Sequence, residues 1–277
     1  MATLGKPHTL RLLLALIATV AMDFLSVPTW AQFYGKQTFE VSTAAEFIKA
    51  VGSDRTIRLA PHPFVLSEVA PYQHAHVRWS PRGKAHSPII RGVRNLRIIG
   101  SNDASELRAT SGHSFILGIE YSQNIELRDL QIGSASAFNG GNLLSLNNCT
   151  NILLRSCQLS GAGSRALKLD RVARFVTRNS QFNGCTDDIM SVDRSANLLF
   201  RRTQFVGNSG RWGARFVDTY DVQFDRCKFS GNKFSNATLS ASSSAKIRVF
   251  GGEMSAPERA LFTDAPKSVV LETQTAD

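Results

Sequence analysis

Several absences narrow the reading before any motif is considered. The N-terminal apolar run, Leu12 to Met22, spans only eleven residues, whereas a bilayer core needs roughly 20. No histidine occurs after His113: all six (His8, His62, His74, His76, His86, His113) precede the regular part of the chain, which argues against a mixed Cys/His zinc site there. Cysteine is scarce. Cys149, Cys157, Cys185 and Cys227 sit at spacings that match no metal knuckle, and they are expected as free thiols. Acidic residues are also in deficit, 22 against 32 lysines and arginines, for a net charge of +10.

The residues that are present begin with an export signal. Lys6 and Arg11 precede the apolar run, Asp23 and Pro28 break the stretch after it, and Thr29 and Ala31 supply small residues for a peptidase. Residues 1–31 therefore read as a signal peptide cleaved after Ala31, with Ala21 as the alternative site. Asp23 and Pro28 speak against a retained anchor. The expected location is secreted or periplasmic, with no membrane span after cleavage. Cleavage removes two cations and one acid and leaves +9. Such a balance favours anionic partners: an acidic polysaccharide, lipid head groups or another cell-surface polymer. Nucleic acid is not expected, because an exported protein seldom meets it.

A repeat organises the rest. NIELRDLQI from Asn124, NILLRSCQL from Asn151, RFVTRNSQF from Arg174, NLLFRRTQF from Asn197, DVQFDRCKF from Asp221 and KIRVFGGEM from Lys246 align without gaps, at intervals of 27, 23, 23, 24 and 25 residues. RNLRIIG from Arg94 is a looser member. Self-similarity at this period signals a solenoid. The second and fourth positions are mostly apolar (Ile125, Ile152, Phe175, Leu198; Leu127, Leu154, Phe200, Phe224), which is the period of a strand. The seventh position is small or apolar, the ninth always apolar. Stacking the segments buries these columns. Cys157 and Cys227 share one of them three coils apart, roughly 14 Å at strand spacing and too far for a disulfide.

Two polar rows run beside the core. Gln131, Gln158, Gln181 and Gln204 align as a candidate amide ladder. Arg128, Arg155, Arg178 and Arg201 align at a corner, where like charges repel unless acids or a bound polyanion offset them. The row reads as a solvated surface stripe or as an anion-binding one. A further strand comes next in each coil (LLSL from Leu143, ALKL from Ala166, DIMSV from Asp188, ARFV from Ala214, ATLS from Ala237), and Asp170, Asp193 and Asp218 near the ends of three of them are expected to cap turns. Three strands and three turns per coil, with the right-handed crossover preference, predict an all-β fold: a single-stranded right-handed parallel β-helix, or solenoid, over residues 32–265. Ser42 or Thr43 opens a short amphipathic capping helix near 43–51, with Ala45, Phe47, Ile48 and Val51 on its apolar face and Gly52 as its stop. Residues 61–92 read as an excursion without period, and residues 266–277 as a loose tail.

The NI-L start, the polar corner, the Q-F step and the DIMSVD strand make residues 40–260 or so similar to the pectate-lyase-like superfamily of right-handed parallel β-helix proteins, which includes pectate lyases, polygalacturonases and alginate epimerases. The resemblance implies a saccharide groove on the outer face of the sheet that carries DIMSV. It does not carry over catalytic residues: the Arg-x-Pro, Arg-Ile-Lys and Asp-Pro-His motifs of those enzymes are missing, although Asp187 and Asp188 in CTDDIM are similar to the paired acids of polygalacturonases.

The best local constellation is Lys168, Asp187, Asp188 and Arg215, from three successive coils. On a uronate, a cation such as Ca²⁺ held by aspartate oxygens can neutralise the carboxylate, and Lys168 or Arg215 can take the α proton; no cofactor is fixed by the sequence. Hydrolysis would instead divide acid and base roles between Asp187 and Asp188, but neighbours on a strand face opposite ways. The bland alternative makes the two acids a turn with Lys168 and Arg215 as solvated partners. Arg211 and Trp212 are candidate substrate-binding residues, Trp212 by stacking on a sugar ring, or else a packed loop residue. The functional expectation is an exported protein that binds an acidic polysaccharide, lyase-like if it is catalytic, or, alternatively, a non-enzymatic secreted β-helix binding or structural protein of the cell envelope.

Overall fold

The computed structural model describes residues 36–82, 85–101, 104–110, 114–138, 141–242, 245–254, 262–263 and 269–272. The signal peptide expected at residues 1–31 lies outside them. The described residues wind into a right-handed parallel β-solenoid with one α-helix. Each aligned segment stacks on the next without slippage: Ile125 pairs with Ile152, Phe175, Leu198, Val222 and Ile247 in turn, and Leu127 with Leu154, Thr177, Phe200, Phe224 and Val249. The Gln and Arg rows are in register too.

The corners explain why the repeat holds. Residues with left-handed backbone recur at the same three places in each coil: Asn124, Asn151, Arg174, Asn197 and Asp221; Asp129, Ser156, Asn179, Arg202 and Arg226; Tyr121, Asn148, Arg171, Arg194 and Asp218. Asn and Asp tolerate this conformation best among residues with a side chain. At the first corner their side chains also form a ladder: Asn95 Nδ2 donates to Asp54, Asn124 to Asn95 and Asn151 to Asn124, at 2.7–2.9 Å. The amide ladder therefore runs through the asparagines. In the Gln row, Gln158 Nε2 reaches Asn183 instead, at 3.4 Å.

Register turns repeated aromatics into stacks. Phe182, Phe205 and Phe229 lie face to face with centroids 5.2 and 4.5 Å apart, and Phe200 stacks on Phe224 at 4.7 Å, close to the strand spacing itself. Each ring buried here contributes about 1.5–3 kcal/mol. All four cysteines are buried and unbridged. Burial pushes the thiols of Cys185 and Cys227 up to about 12 and that of Cys149 to about 11.

At the N-terminal end, α1 (Ala44–Ala50) starts at a capping box in which Thr43 and Glu46 satisfy each other's backbone N–H. It buries Phe47, Ile48 and Ala50, while Ala45, expected on the apolar face, is exposed because the contact face is set by Phe47 and Ile48. Val51, not Gly52, ends the helix. Two expectations need correction. Residues 61–92 are not an aperiodic excursion: Pro63–Val65 joins the second sheet, and Val77–Arg82 with Ala85–Arg91 forms an antiparallel hairpin whose second strand continues the parallel stack. Within the supposed loose tail, Val269–Glu272 pairs in parallel register with Ile247–Phe250, Val269 beside Ile247 and Leu271 beside Val249. A strand that the repeat did not reveal, Gln37–Val41, pairs beside Arg55–Leu59.

Candidate functional site

The sheet carrying DIMSV presents an outward column made by strand alternation. Gly118, Ser145, Lys168, Ser191, Arg215 and Ser240 occupy consecutive rungs. Lys168 and Arg215 are exposed, two rungs apart, roughly 10 Å at strand spacing, with the small Ser191 between them. Two residues along each strand, and therefore on the same face, runs a second column: Glu120, Asn147, Asp170 and Asp193. Lys168 and Arg215 have no acidic partner within ion-pair distance among the described residues.

The acid column is tied together across coils. Asp170 accepts from Asn147 Nδ2 at 3.0 Å and from the Arg194 guanidinium at 2.7 and 3.0 Å, and pairs with Arg171 at 3.1 Å. Asp193 accepts from Ser191 Oγ at 3.1 Å. The expected turn caps at Asp170 and Asp193 are instead side-chain acceptors on the outward face, because the left-handed corner is taken by the next residue, Arg171 or Arg194.

Asp188 stands apart from this face. It is 4% exposed and shares the core-facing parity of Met190 and Val192, three residues before Ser191. Its rung-mates are Arg165 and Trp212. Arg165 Nε and Nη2 reach Asp188 Oδ2 at 3.1 and 3.0 Å, and the Trp212 N–H donates to Oδ1 at 3.1 Å. Burial raises the Asp188 carboxyl above the usual aspartate value despite the Arg165 charge. Trp212 is half-buried and belongs to the start of the strand Ser209–Val217 rather than to a loop. Arg211 is exposed, and its N–H donates to the Asp187 carbonyl at 3.1 Å. That contact demands Gly210: with φ at 142°, a Cβ there would fall 1.3 Å from the Asp187 oxygen.

The six residues singled out from the sequence thus separate into two groups. Lys168 and Arg215 share the outward column. Asp188 and Trp212 share a rung three residues upstream, flanked by Asp187 and Arg211, so the four charged residues do not converge on one point. Ser191, Asp170 and Asp193 complete the outward face and were not selected as site residues. Their signal was the i+2 step in KLD and SVD, which puts each acid on the same face as the preceding position.

Among the described residues no three His, Cys, Asp or Glu side chains are placed to hold a metal ion, and the carboxylates of Asp170, Asp188 and Asp193 are already engaged. This set does not fit a Ca²⁺ site.

A model described as right handed beta helix region matches residues 101–255. The chain belongs to this family. Among solved structures, it is similar to the pectate lyase pelN from Paenibacillus sp. 0602, with a TM-score of 0.50 at 9% identity over 85% of this chain and 76% of that one. An alginate lyase from Paenibacillus sp. str. FPU-7 gives 0.41 and 11%, over 84% and 99%. Pectate lyase Pel9A gives 0.40 and 10%, over 87% and 79%. At these identities the likeness is one of fold. Among curated proteins none matches. No helix of the described residues is long and apolar enough to cross a membrane.

Proposed function

We propose that this β-helix protein is exported and binds an acidic polysaccharide along the outward face of Lys168, Ser191 and Arg215. The observation that carries the reading is the pair of exposed, acid-free cations on one column of a parallel sheet, spaced by a serine and aligned along the solenoid axis. A chain laid along that axis would set carboxylates against the two cations in turn, and Arg211 and Trp212 lie at the near edge of the same strand as Arg215. The fold shared with a pectate lyase agrees with this reading.

The reaction this face would support is β-elimination. Arg215 neutralises a uronate carboxylate, which acidifies the α proton, and the Lys168 amine, once it has released its own proton to solvent, takes that proton. The electron pair then forms a double bond between the α and β carbons as the bond from the β carbon to the glycosidic oxygen breaks, and the departing oxygen takes a proton from the Lys168 ammonium or from water. Asp187 and Asp188 act by position, Asp188 by fixing the Trp212 backbone. A second reading, a binding protein without catalysis, is favoured by one observation: on this face Glu120 and Asp170 are both held by arginines, so neither acid is free to act as a general acid or base.

The test monitors ultraviolet absorbance of unsaturated uronate ends, with pectate and alginate as substrates. The lyase reading expects a signal that disappears in Lys168→Ala and falls in Arg215→Ala. No signal from any polymer, together with salt-sensitive retention on them, leaves the binding reading. Neither signal nor retention contradicts both.

A further inference from the structure

The second cationic column, at the corner that ends the strand after the groove sheet, differs in kind from the first. Here Arg155, Arg178 and Arg201 occupy three consecutive rungs with no spacer. They are locked there by the left-handed corner: the N–H of Ser156 donates to the Arg178 carbonyl and that of Asn179 to the Arg201 carbonyl, at 2.9 and 3.2 Å. The ends of the row are neutralised, Arg128 by Asp129 at 2.7 Å and Arg201 by Asp225 at 2.9 Å. The middle is not. Arg155 and Arg178 have no acid within ion-pair distance among the described residues, and Arg178 Nε and Nη2 are buried with no hydrogen-bond partner.

Buried guanidinium donors without acceptors are costly and rare. Burial, then the neighbouring positive charges of Arg201 and Arg155, pull the Arg178 value down, which is the mark of a cation placed without its counterion. Beside it opens a cavity of about 310 Å³ lined by Arg155, Arg178, Asn179, Arg201 and Arg202. Four guanidiniums around one cavity, with the single acid Asp225 shared between Arg201 and Arg226, leave more positive charge than one carboxylate can offset. A guanidinium fork matches a phosphate or sulfate edge through paired N–H donors.

We propose that this corner is a binding site for a tetrahedral oxyanion, a phosphate or sulfate group, gripped by Arg178 from below and by Arg155 and Arg201 from the adjoining rungs. The site is separate from the groove. Ten residue steps with a bend at Arg171, roughly 33 Å of extended chain, lie between it and Lys168. It therefore stands or falls independently of the polysaccharide reading.

The test is thermal unfolding and calorimetric titration of the full chain with inorganic phosphate, inorganic sulfate and, as the carboxylate arm, galacturonate at matched ionic strength. Phosphate or sulfate at tenfold excess over its Kd is expected to raise the Tm by about 3–5 °C, with galacturonate giving little. Arg178→Met is expected to raise the Tm in the absence of anion, since it removes a repelled and unpaired cation, and to weaken phosphate binding at least about tenfold. Arg155→Gln should weaken binding with a smaller change in stability. Preference between phosphate and sulfate then identifies the source. The proposal is overturned if no oxyanion binds the wild type, if galacturonate matches phosphate, or if Arg178→Met lowers the Tm and leaves the phosphate response unchanged.

Discussion

Two columns of cations climb the same solenoid, and they behave differently because of the residues that stand between the charges. On the groove sheet Lys168 and Arg215 are separated by Ser191 and face solvent. At the corner Arg155, Arg178 and Arg201 succeed one another on every rung, and Nε and Nη2 of the middle guanidinium are buried without acceptors. At strand spacing two unit charges repel by about 1 kcal/mol in water and several-fold more where the effective dielectric is lower. One rung of spacing therefore separates a pair of cations free to meet a ligand from a row that needs one. A parallel solenoid imposes this logic on any repeated charge, since register makes sequence periodicity into spatial adjacency.

The comparison can be broken in stages. The largest effect is expected where a neutralised end of the corner row is exposed: Asp225→Asn strips the acid from Arg201 and Arg226 and should cost about 1–3 kcal/mol, read as a fall in Tm of several degrees. Next is Asp188. Asp188→Ala removes the acceptor of the Trp212 N–H and should cost about 1 kcal/mol, whereas Asp188→Asn keeps an acceptor and should be close to neutral at pH 7.

The sign of its pH dependence comes from burial. Because the folded carboxyl lies above its unfolded value, the folded state holds that proton more tightly. The favourable contribution is present at low pH and is lost as pH rises through the window just above the ordinary aspartate value. The Tm of Asp188→Asn relative to wild type should therefore be highest near neutrality and decline as pH is lowered through that window. The smallest effect belongs to Ser191→Arg, which fills the spacer rung and recreates three consecutive cations on the groove sheet. A loss of a few tenths of a kcal/mol at low salt, recovered on adding salt, is expected for exposed charges. An equal loss at high salt would show that spacing is not the cause.

The fold was legible from the sequence because one stretch of nine positions recurs six times, and alternation within it names the core columns directly. Phe175, Phe200, Phe205 and Phe224 lie where the period puts them. The corners were less legible. Arg171 and Arg194 adopt a conformation that Asn or Asp usually takes, so Asp170 and Asp193 were read as caps when their carboxylates instead hold side chains on the outward face. The early coil was hidden because a hairpin is inserted after Leu66–Glu68 and its strands carry Pro and His in place of the repeat. The site was legible in part. Lys168 and Arg215 fall on one face because they occupy equivalent positions in alternate coils. Asp188 falls elsewhere because alternation turns it toward the core and three residues along the strand carry it away, which proximity in sequence alone cannot express.

The most direct measurement compares the affinity of one uronate polymer for the wild type, for a Lys168→Ala/Arg215→Ala double variant and for an Arg155→Gln/Arg178→Met double variant. The account predicts a loss of at least about tenfold in the groove pair and near-wild-type affinity in the corner pair. Unchanged affinity in the groove pair, or a loss confined to the corner pair, would contradict it.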